Sequence, residues 1–262
     1  MRLSVATHRV GPLRDVAVPR LRIAMVADLH ACRPAMDVPR IDAVVARVNA
    51  LAPDLICLLG DYAGHAWATR TLPPEAVVPA LLRLSAPLGT IAVFGNHDWA
   101  DDGRAYRRES PDTHWHRAFA EAGIATLVNE ARTITAEGTT LTLAGLDSQM
   151  AHGRGPADGE HDLDAVGDAI DPRHFTILLA HEPDIFPELP DHVDLTLAGH
   201  CHGGQIRFFG RAWVCPSRYG TRYDRGYFRD GARQMVVSQG LGCSGPPLRL
   251  GAPPEITLVE LG

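Results

Sequence analysis

The stretch Ile23-Ala24-Met25-Val26-Ala27-Asp28-Leu29-His30 joins an apolar run of strand length directly to two polar side chains. The same arrangement returns five times along the chain. The later runs are 55–59 before Gly60-Asp61, 90–94 before Gly95-Asn96-His97-Asp98, 141–146 before Asp147, 175–180 before His181 and 195–198 before Gly199-His200-Cys201-His202. Continuous apolar runs with little alternation are typical of strands covered on both faces.

Helical patterns lie between several of these runs. They predict helices over residues 38–51 after Asp37, over 74–84, and over 113–122 before Gly123. Strands that alternate with helices predict an α/β fold, and no linker divides residues 1–262, so we expect a single domain. At the N-terminus, residues 3–10 and 15–18 are predicted to form a short hairpin around Gly11-Pro12.

Composition limits the class of protein. The net charge of −6 gives no general attraction for nucleic acid, and no nucleic-acid partner is expected. The five cysteines are scattered without a CxxC pair, which is typical of a reducing compartment. The sequence shows neither a signal peptide nor an apolar run long enough to span a bilayer. We therefore expect a cytoplasmic protein, with peripheral membrane contact left open.

The polar residues at the strand ends have the chemistry of a metal site. Ligands in α/β folds collect beyond the carboxyl ends of the strands. Asp28 and His30 are two residues apart, as are His200 and His202, and in extended chain this spacing points both side chains the same way. Asp61 offers two oxygens that can bridge two cations, while Asn96 and His181 add an oxygen and a nitrogen. This mixed set predicts two transition-metal ions, Mn, Zn or Fe.

Two such cations can generate hydroxide and hold phosphoryl oxygens. A leaving alkoxide then needs a proton, and His97 is placed to supply it as general acid. Asp98 is predicted to orient the His97 imidazole.

Together these motifs resemble the five ordered motifs of the calcineurin-like metallophosphoesterase family, over about residues 22–205. The resemblance implies two mixed β-sheets packed as a sandwich flanked by helices. It implies one metal held by Asp28, His30, Asp61 and His202, and a second held by Asp61, Asn96, His181 and His200. It also implies hydrolysis by a metal-bridging hydroxide.

A narrower resemblance is to the branch with YkuE- and YaeI-type bacterial phosphodiesterases. It is carried by residues 199–206, Tyr219-Gly220, 240–242 and 251–256. It implies a phosphodiester or pyrophosphate substrate, either a small molecule or lipid-linked. The chain departs from the branch at Cys201, where Thr is usual, and in lacking the N-terminal anchor or export signal of many members.

Other readings stay open. A UDP-2,3-diacylglucosamine-type pyrophosphatase, a scaffold of the same fold with little turnover, and a mononuclear hydrolase of amides or esters are the alternatives. Arg218, Tyr219 and Arg222, in the Arg- and Tyr-rich residues 203–231, are candidate substrate contacts, against a solvated basic face. The oligomeric state is not predicted.

Three lesser expectations concern neighbouring polar residues. Asp184 is expected to cap a turn and Asp147 to cap a loop. His65 is expected to lie in a surface loop, with a position lining the cleft as the alternative. Residues 240–245 formally match GxGxxG, but two prolines follow them where a helix would have to open, so a turn is expected there instead.

Overall fold

The computed structural model describes residues 3–153 and 158–262. The strands in this part of the chain are, in order, β1 (Ser4–Val10), β2 (Leu21–Val26), β3 (Cys32–Arg33), β4 (Leu55–Leu59), β5 (His65–Ala66), β6 (Arg70–Thr71), β7 (Thr90–Val93), β8 (Ala125–Thr126), β9 (Glu130–Ala136), β10 (Thr139–Gly145), β11 (Phe175–Leu179), β12 (Leu195–Ala198), β13 (Arg207–Phe208), β14 (Arg211–Ala212), β15 (Gly226–Asp230), β16 (Arg233–Val237), β17 (Ser244–Gly245) and β18 (Glu255–Leu261). The predicted apolar runs all become strands.

Several of the described helices begin directly after a residue whose side chain caps them. Asp37 precedes the first helix and accepts a hydrogen bond from the Arg40 N–H at 3.3 Å. Thr113 caps the helix that begins at His114, because its hydroxyl accepts hydrogen bonds from two backbone N–H groups. The helices are α1 (Val38–Ala50), α2 (Pro74–Leu81), α3 (Asn96–Asp101), α4 (Gly103–Tyr106), α5 (His114–Glu121) and α6 (Leu163–Ala169). Thus α2 ends three residues earlier than predicted.

Twelve of the eighteen described strands form two six-stranded mixed sheets, and the other six form three two-stranded pairs. The first has the order β1-β18-β2-β4-β7-β8 and the second β15-β16-β12-β11-β10-β9. Within the first sheet β2, β4, β7 and β8 run parallel, and within the second β10, β11, β12 and β16 do. Parallel neighbours bring their carboxyl ends to one edge, which collects the polar residues that follow each strand.

Three apolar layers show how the sheets are covered. Between the sheets, side chains such as Met25, Cys57 and Val93 of the first meet Leu143 and Ile177 of the second. The outer face of the first sheet packs on α1, α2 and α5, and that of the second on α6 and the 3₁₀ turn Pro183–Glu188. The predicted sandwich flanked by helices is therefore confirmed. No described helix has the length and apolar character to cross a bilayer.

The predicted N-terminal hairpin is wrong. Strand β1 pairs in parallel with β18, from Ser4 opposite Glu255 to Val10 opposite Leu261. Residues 15–18 form no strand, and the Arg14 guanidinium before them pairs with the Asp194 carboxylate beside the other sheet at 2.6 Å. Val16 and Val18 then pack against the layer between the sheets.

Candidate metal centre

Six of the seven predicted ligands lie in two groups whose ligand atoms are within 4.8 Å of one another. One group is Asp28, His30, Asp61 and His202, and the other is Asp61, His181 and His200. Asp61 belongs to both, since its Oδ2 lies 3.4 Å from His30 Nε2 and 3.2 Å from His181 Nε2. Every member is buried, so their charges and lone pairs face one another instead of water.

Backbone carbonyls fix three of the imidazoles from outside. The Nδ1 of His30 lies 2.9 Å from the Ala63 carbonyl, the Nδ1 of His181 lies 2.6 Å from that of Leu59, and the Nε2 of His200 lies 2.6 Å from that of Pro216. Because a carbonyl only accepts, each of these nitrogens carries the ring hydrogen. The other nitrogen of the His30 and His200 rings keeps its lone pair toward the site, as metal-binding histidines require. The Nε2 of His181 instead faces the Asp61 carboxylate at 3.2 Å, which favours a proton on this nitrogen.

His202 is held differently. The guanidinium of Arg249, 3.0 Å away, donates to its Nδ1, so the neutral ring carries its hydrogen on Nε2. This Nε2 faces His30 Nε2 at 3.0 Å. His30 and His202 would both help to hold a cation in this group, and Arg249 would fix the orientation of the His202 ring.

Asn96, the seventh predicted ligand, opens α3. Its Oδ1 is buried without a hydrogen-bond partner among the described residues. A buried carbonyl oxygen without a partner costs about 1–3 kcal/mol, which a bound cation would offset. Together with the inward lone pairs, this oxygen makes the donor set fit transition-metal ions.

The pKa values of the ligands follow from burial. Burial lowers the pKa of His30 to about 4 and also lowers those of His200 and His202, which keeps the three rings neutral at pH 7. Burial also raises the pKa of Asp28 to about 7. Burial disfavours the charged forms of both Asp61 and His181. The attraction between the two groups is stronger, so the pKa of the Asp61 carboxyl is lowered and the pKa of the His181 ring is raised.

The side chains of Asp28 and His30 converge for another reason than the predicted one. The ligands that follow β2, β4 and β12 sit in the left-handed region, with φ of 52° at Asp28, 44° at His30, 55° at Asp61, 69° at His200 and 52° at His202. Extended chain with a period of two does not describe them. Left-handed backbone outside glycine is strained and clusters at functional sites.

Glycines bring other segments against these ligands. A Cβ on Gly95 would lie 2.3 Å from Asp61 Oδ1, and one on Gly240 would lie 2.6 Å from the Asp28 Cβ. Residues 240–245 thus form a turn against Asp28, as expected, and open no helix. Cys201 points away from the ligands into the outer layer of the second sheet.

His97 lies at the edge of the ligand groups. The backbone N–H of His97 donates to Asp61 Oδ1 at 2.9 Å. The His97 ring stacks on the His65 ring, with the ring centroids 4.0 Å apart. Burial lowers the pKa of His97 to about 3, so the resting ring is neutral. His65 was expected in a surface loop, but with His97 it lines the cleft.

The role expected for Asp98 needs correction. Its Oδ1 accepts the N–H groups of Tyr62 and Ala63, and its Oδ2 accepts those of Asp61 and Gly95, all at 2.8–3.0 Å. Both oxygens are thus used by backbone. Asp98 fixes the turn that carries Asp61 and does not orient the His97 ring.

The ligands open into a cleft of about 700 Å³. Of the predicted substrate contacts, Arg218 lines it, although its guanidinium donates to the Asp184 carbonyl at 2.9 Å and pairs with Glu188. Tyr219 and Arg222 lie outside the lining, because both pack on the Tyr223 ring in the outer layer.

Two carboxylates hold the cleft loops together. Asp184 accepts from the Ser217 hydroxyl at 2.5 Å and the Arg218 N–H at 2.8 Å, so it is not the turn cap that was expected. Asp147 accepts from Trp99 Nε1 and the Ser148 N–H, as a loop cap would. Sequence reasoning missed Glu182, which accepts from Ser148 and Gln149, although its place directly after His181 was a signal.

Comparison with known proteins agrees with this geometry. The sequence profile of the calcineurin-like phosphoesterases matches residues 21–204. The metallophosphoesterase YkuE of Bacillus subtilis is 34% identical over 83% of this chain and 71% of its own length. The phosphodiesterase YaeI of Escherichia coli is 32% identical over 97% of this chain and 86% of its own.

A solved structure shares the fold. The NAD nucleotidase of Haemophilus influenzae aligns with a TM-score of 0.55 at 15% identity, over 85% of this chain but 45% of its own. The profile match and the two bacterial relatives establish that the chain belongs to the calcineurin-like metallophosphoesterase family and is a metallophosphoesterase.

Proposed function

We propose that the protein hydrolyses a phosphodiester or pyrophosphate bond with two bound Mn, Zn or Fe ions. The observation that carries this proposal is the pair of buried ligand groups that share Asp61 beside His97. The name of YaeI as a phosphodiesterase supports the bond type. Asn96 would complete the second group.

When bound, two such ions lower the pKa of water and offset charge on phosphoryl oxygens. The chain's own residues then orient and protonate. His97 is neutral at rest, but an anionic phosphoester beside its ring favours the imidazolium, because opposite charge raises the pKa of a histidine. We infer that His97 gives this proton to the leaving oxygen, while His65, stacked on it, limits rotation of the ring.

A substrate panel with metal counting tests this function. We expect turnover of bis(p-nitrophenyl) phosphate by protein loaded with Mn, Zn or Fe, and two metals per chain. Metal binding without turnover would favour the scaffold alternative. One metal per chain with amide or ester hydrolysis would favour a mononuclear hydrolase. Adding UDP-2,3-diacylglucosamine to the panel tests the lipid pyrophosphatase.

A lipid-linked substrate is a second proposal, carried by one exposed hairpin. Strands β13 and β14 hold Phe208, Phe209 and Trp213 toward solvent, with Phe209 fully exposed at the turn. The chain then runs directly into Val214 to Arg218, which line the cleft. Aromatic rings beside an exposed cation, here Arg211, are typical of segments that rest in a lipid headgroup layer. We therefore propose peripheral contact with anionic lipid at the cleft mouth.

Vesicle sedimentation tests the hairpin. Wild type should bind vesicles of phosphatidylcholine mixed with phosphatidylglycerol, and the double variant Phe209→Ala, Trp213→Ala should lose this binding while it still hydrolyses the aryl diester. Leu82→Ala is the control, because Leu82 is also exposed but ends α2. Equal sedimentation of all three proteins would rule out a lipid role for the hairpin.

A further inference from the structure

Gln149 is a buried amide that lines the catalytic cleft. Only 3% of the residue is exposed, yet neither Oε1 nor Nε2 has a hydrogen-bond partner among the described residues. Its neighbours in the lining include Asn96, His97 and Glu182. A buried polar group without a partner destabilises a fold, so an amide lacking partners at both ends calls for an explanation.

The segment that carries Gln149 is held rigidly. The Gln149 N–H donates to Glu182 Oε2 at 3.0 Å, and the Ser148 hydroxyl donates to Glu182 Oε1 at 2.5 Å. One residue earlier, Asp147 accepts from Trp99 Nε1 at 2.9 Å. Glu182 directly follows the ligand His181. The backbone of Gln149 is therefore fixed relative to the second ligand group, and its side-chain amide extends from this fixed point into the cleft lining.

Other buried polar atoms without partners have different surroundings. The hydroxyls of Thr176 and Thr196 lie within β11 and β12 and do not line the cleft. The Oδ1 of Asn96 already has a role as a metal ligand in the proposed function. Gln149 combines a position in the cleft lining with a donor and an acceptor that both lack partners among residues 3–153 and 158–262.

We propose that Gln149 forms a polar subsite that binds the organic part of the phosphoester through one donor and one acceptor. The class of ligand is an ester whose alcohol part carries hydroxyl or amide groups, as in a glycerol or nucleoside ester. A plain aryl ester offers the amide nothing to bind. This inference rests on the proposed function and deepens it from a bond type to a substrate class.

The subsite makes two measurable differences for Gln149→Met, which keeps the side-chain length and removes both polar atoms. First, the thermal midpoint should rise, because the unpaired groups are gone. Second, kcat/KM should fall about tenfold or more for a polar ester, as for loss of a hydrogen bond to substrate. The probes are three phosphodiesters that share p-nitrophenol as the leaving group. Their second ester group is phenyl, glyceryl or 5′-thymidyl.

Gln234→Met is the matched control. Gln234 is also buried, but its Oε1 accepts from the Tyr227 hydroxyl at 2.8 Å and its Nε2 donates to the Gly11 carbonyl at 2.9 Å. Its replacement should lower the thermal midpoint and leave the ratio between the three esters unchanged. Gln149→Leu repeats the test should the methionine variant fold poorly.

We expect the phenyl ester to be cleaved by Gln149→Met within about twofold of wild type, and the glyceryl or thymidine ester to lose about tenfold. Equal changes for all three esters, or a thermal midpoint that falls as in Gln234→Met, would overturn the subsite. Wild type inactive on every ester would refute the proposed hydrolysis instead, and the direction of the thermal shift would still decide whether the Gln149 amide is unpaired.

Discussion

His97 is the residue on which proton donation depends in the proposed reaction. His97→Asn should keep both metals, because the imidazole belongs to neither ligand group. We expect kcat for the aryl diester to fall about 10²–10⁴-fold, the usual contribution of a general acid. Metal content by mass spectrometry is the control for an intact site, and unchanged turnover would remove His97 from the mechanism.

Asp98 should behave differently from its neighbour. An asparagine has one acceptor oxygen, so Asp98→Asn leaves two of the four backbone N–H groups facing an amide NH₂. The turn that carries Asp61 should loosen, and metal affinity should fall about 10–100-fold. A competition titration with a chelator measures it. Metal affinity equal to that of His97→Asn would show that Asp98 is not needed to hold Asp61.

Asp147 makes stability depend on pH. Burial raises its pKa to about 7, against an unfolded value of about 4, so between these values the folded chain keeps a proton that the unfolded chain releases. The free energy of unfolding therefore falls as pH rises from about 4 to 7, by up to about 1.4 kcal/mol per unit. Urea unfolding of Asp147→Asn at several pH values should show a smaller decrease in the free energy of unfolding between about pH 4 and pH 7 than wild type does. Identical slopes would mean that Asp147 titrates normally.

At the scale of elements, strand β16 has a glycine turn at each end. Gly231 and Gly240 both have positive φ, 60° and 68°, but only at Gly240 would a Cβ strike another residue, Asp28. An alanine at either position has similar backbone strain. The difference between the two alanine variants therefore reports the contact of the new Cβ with Asp28. Gly240→Ala should unfold about 1–3 kcal/mol more easily than Gly231→Ala and bind metal more weakly. Equal midpoints and equal metal content would contradict the close approach to Asp28.

The elements also show what the sequence could and could not predict. The strands before Asp28, Asp61 and His181 were predictable, because an apolar run that stops at a polar residue is a local signal. Pairing of β1 with β18 was not, since no local pattern connects Ser4 with Glu255. Arg14 was missed for the same reason, because its partner Asp194 is distant in sequence.

The site shows the same division between local and distant signals. The proposed ligands were found because they come just after apolar runs that become strands. The contact of Arg249 with His202 spans 47 residues without a motif, and so was missed. Asp98 was predicted to contact the His97 ring, but it accepts four backbone N–H groups. Every residue except proline has a backbone N–H, so no residue type indicates such a contact.

For the whole molecule, the ligands join the two sheets. Asp28, His30 and Asp61 follow strands of the first sheet, while His181, His200 and His202 follow strands of the second. Metal binding should therefore stabilise the entire fold. At about 100 times its Kd, each metal adds about 2.7 kcal/mol, or roughly 5–10 °C in thermal midpoint. Scanning calorimetry with and without a chelator measures this, and a midpoint independent of metal would mean that the ligands bind none.

Strand β18 lies between β1 and β2 in the first sheet. During synthesis, β1 and β2 leave the ribosome early and must wait for their common neighbour β18, which is made after every proposed ligand. Until then the strand that leads into Asp28 has one side uncovered. We expect a nascent chain to acquire its metals only after β18 has been made, so that metal loading is a step separate from synthesis of the ligands and open to chaperones and to competition among cellular metals.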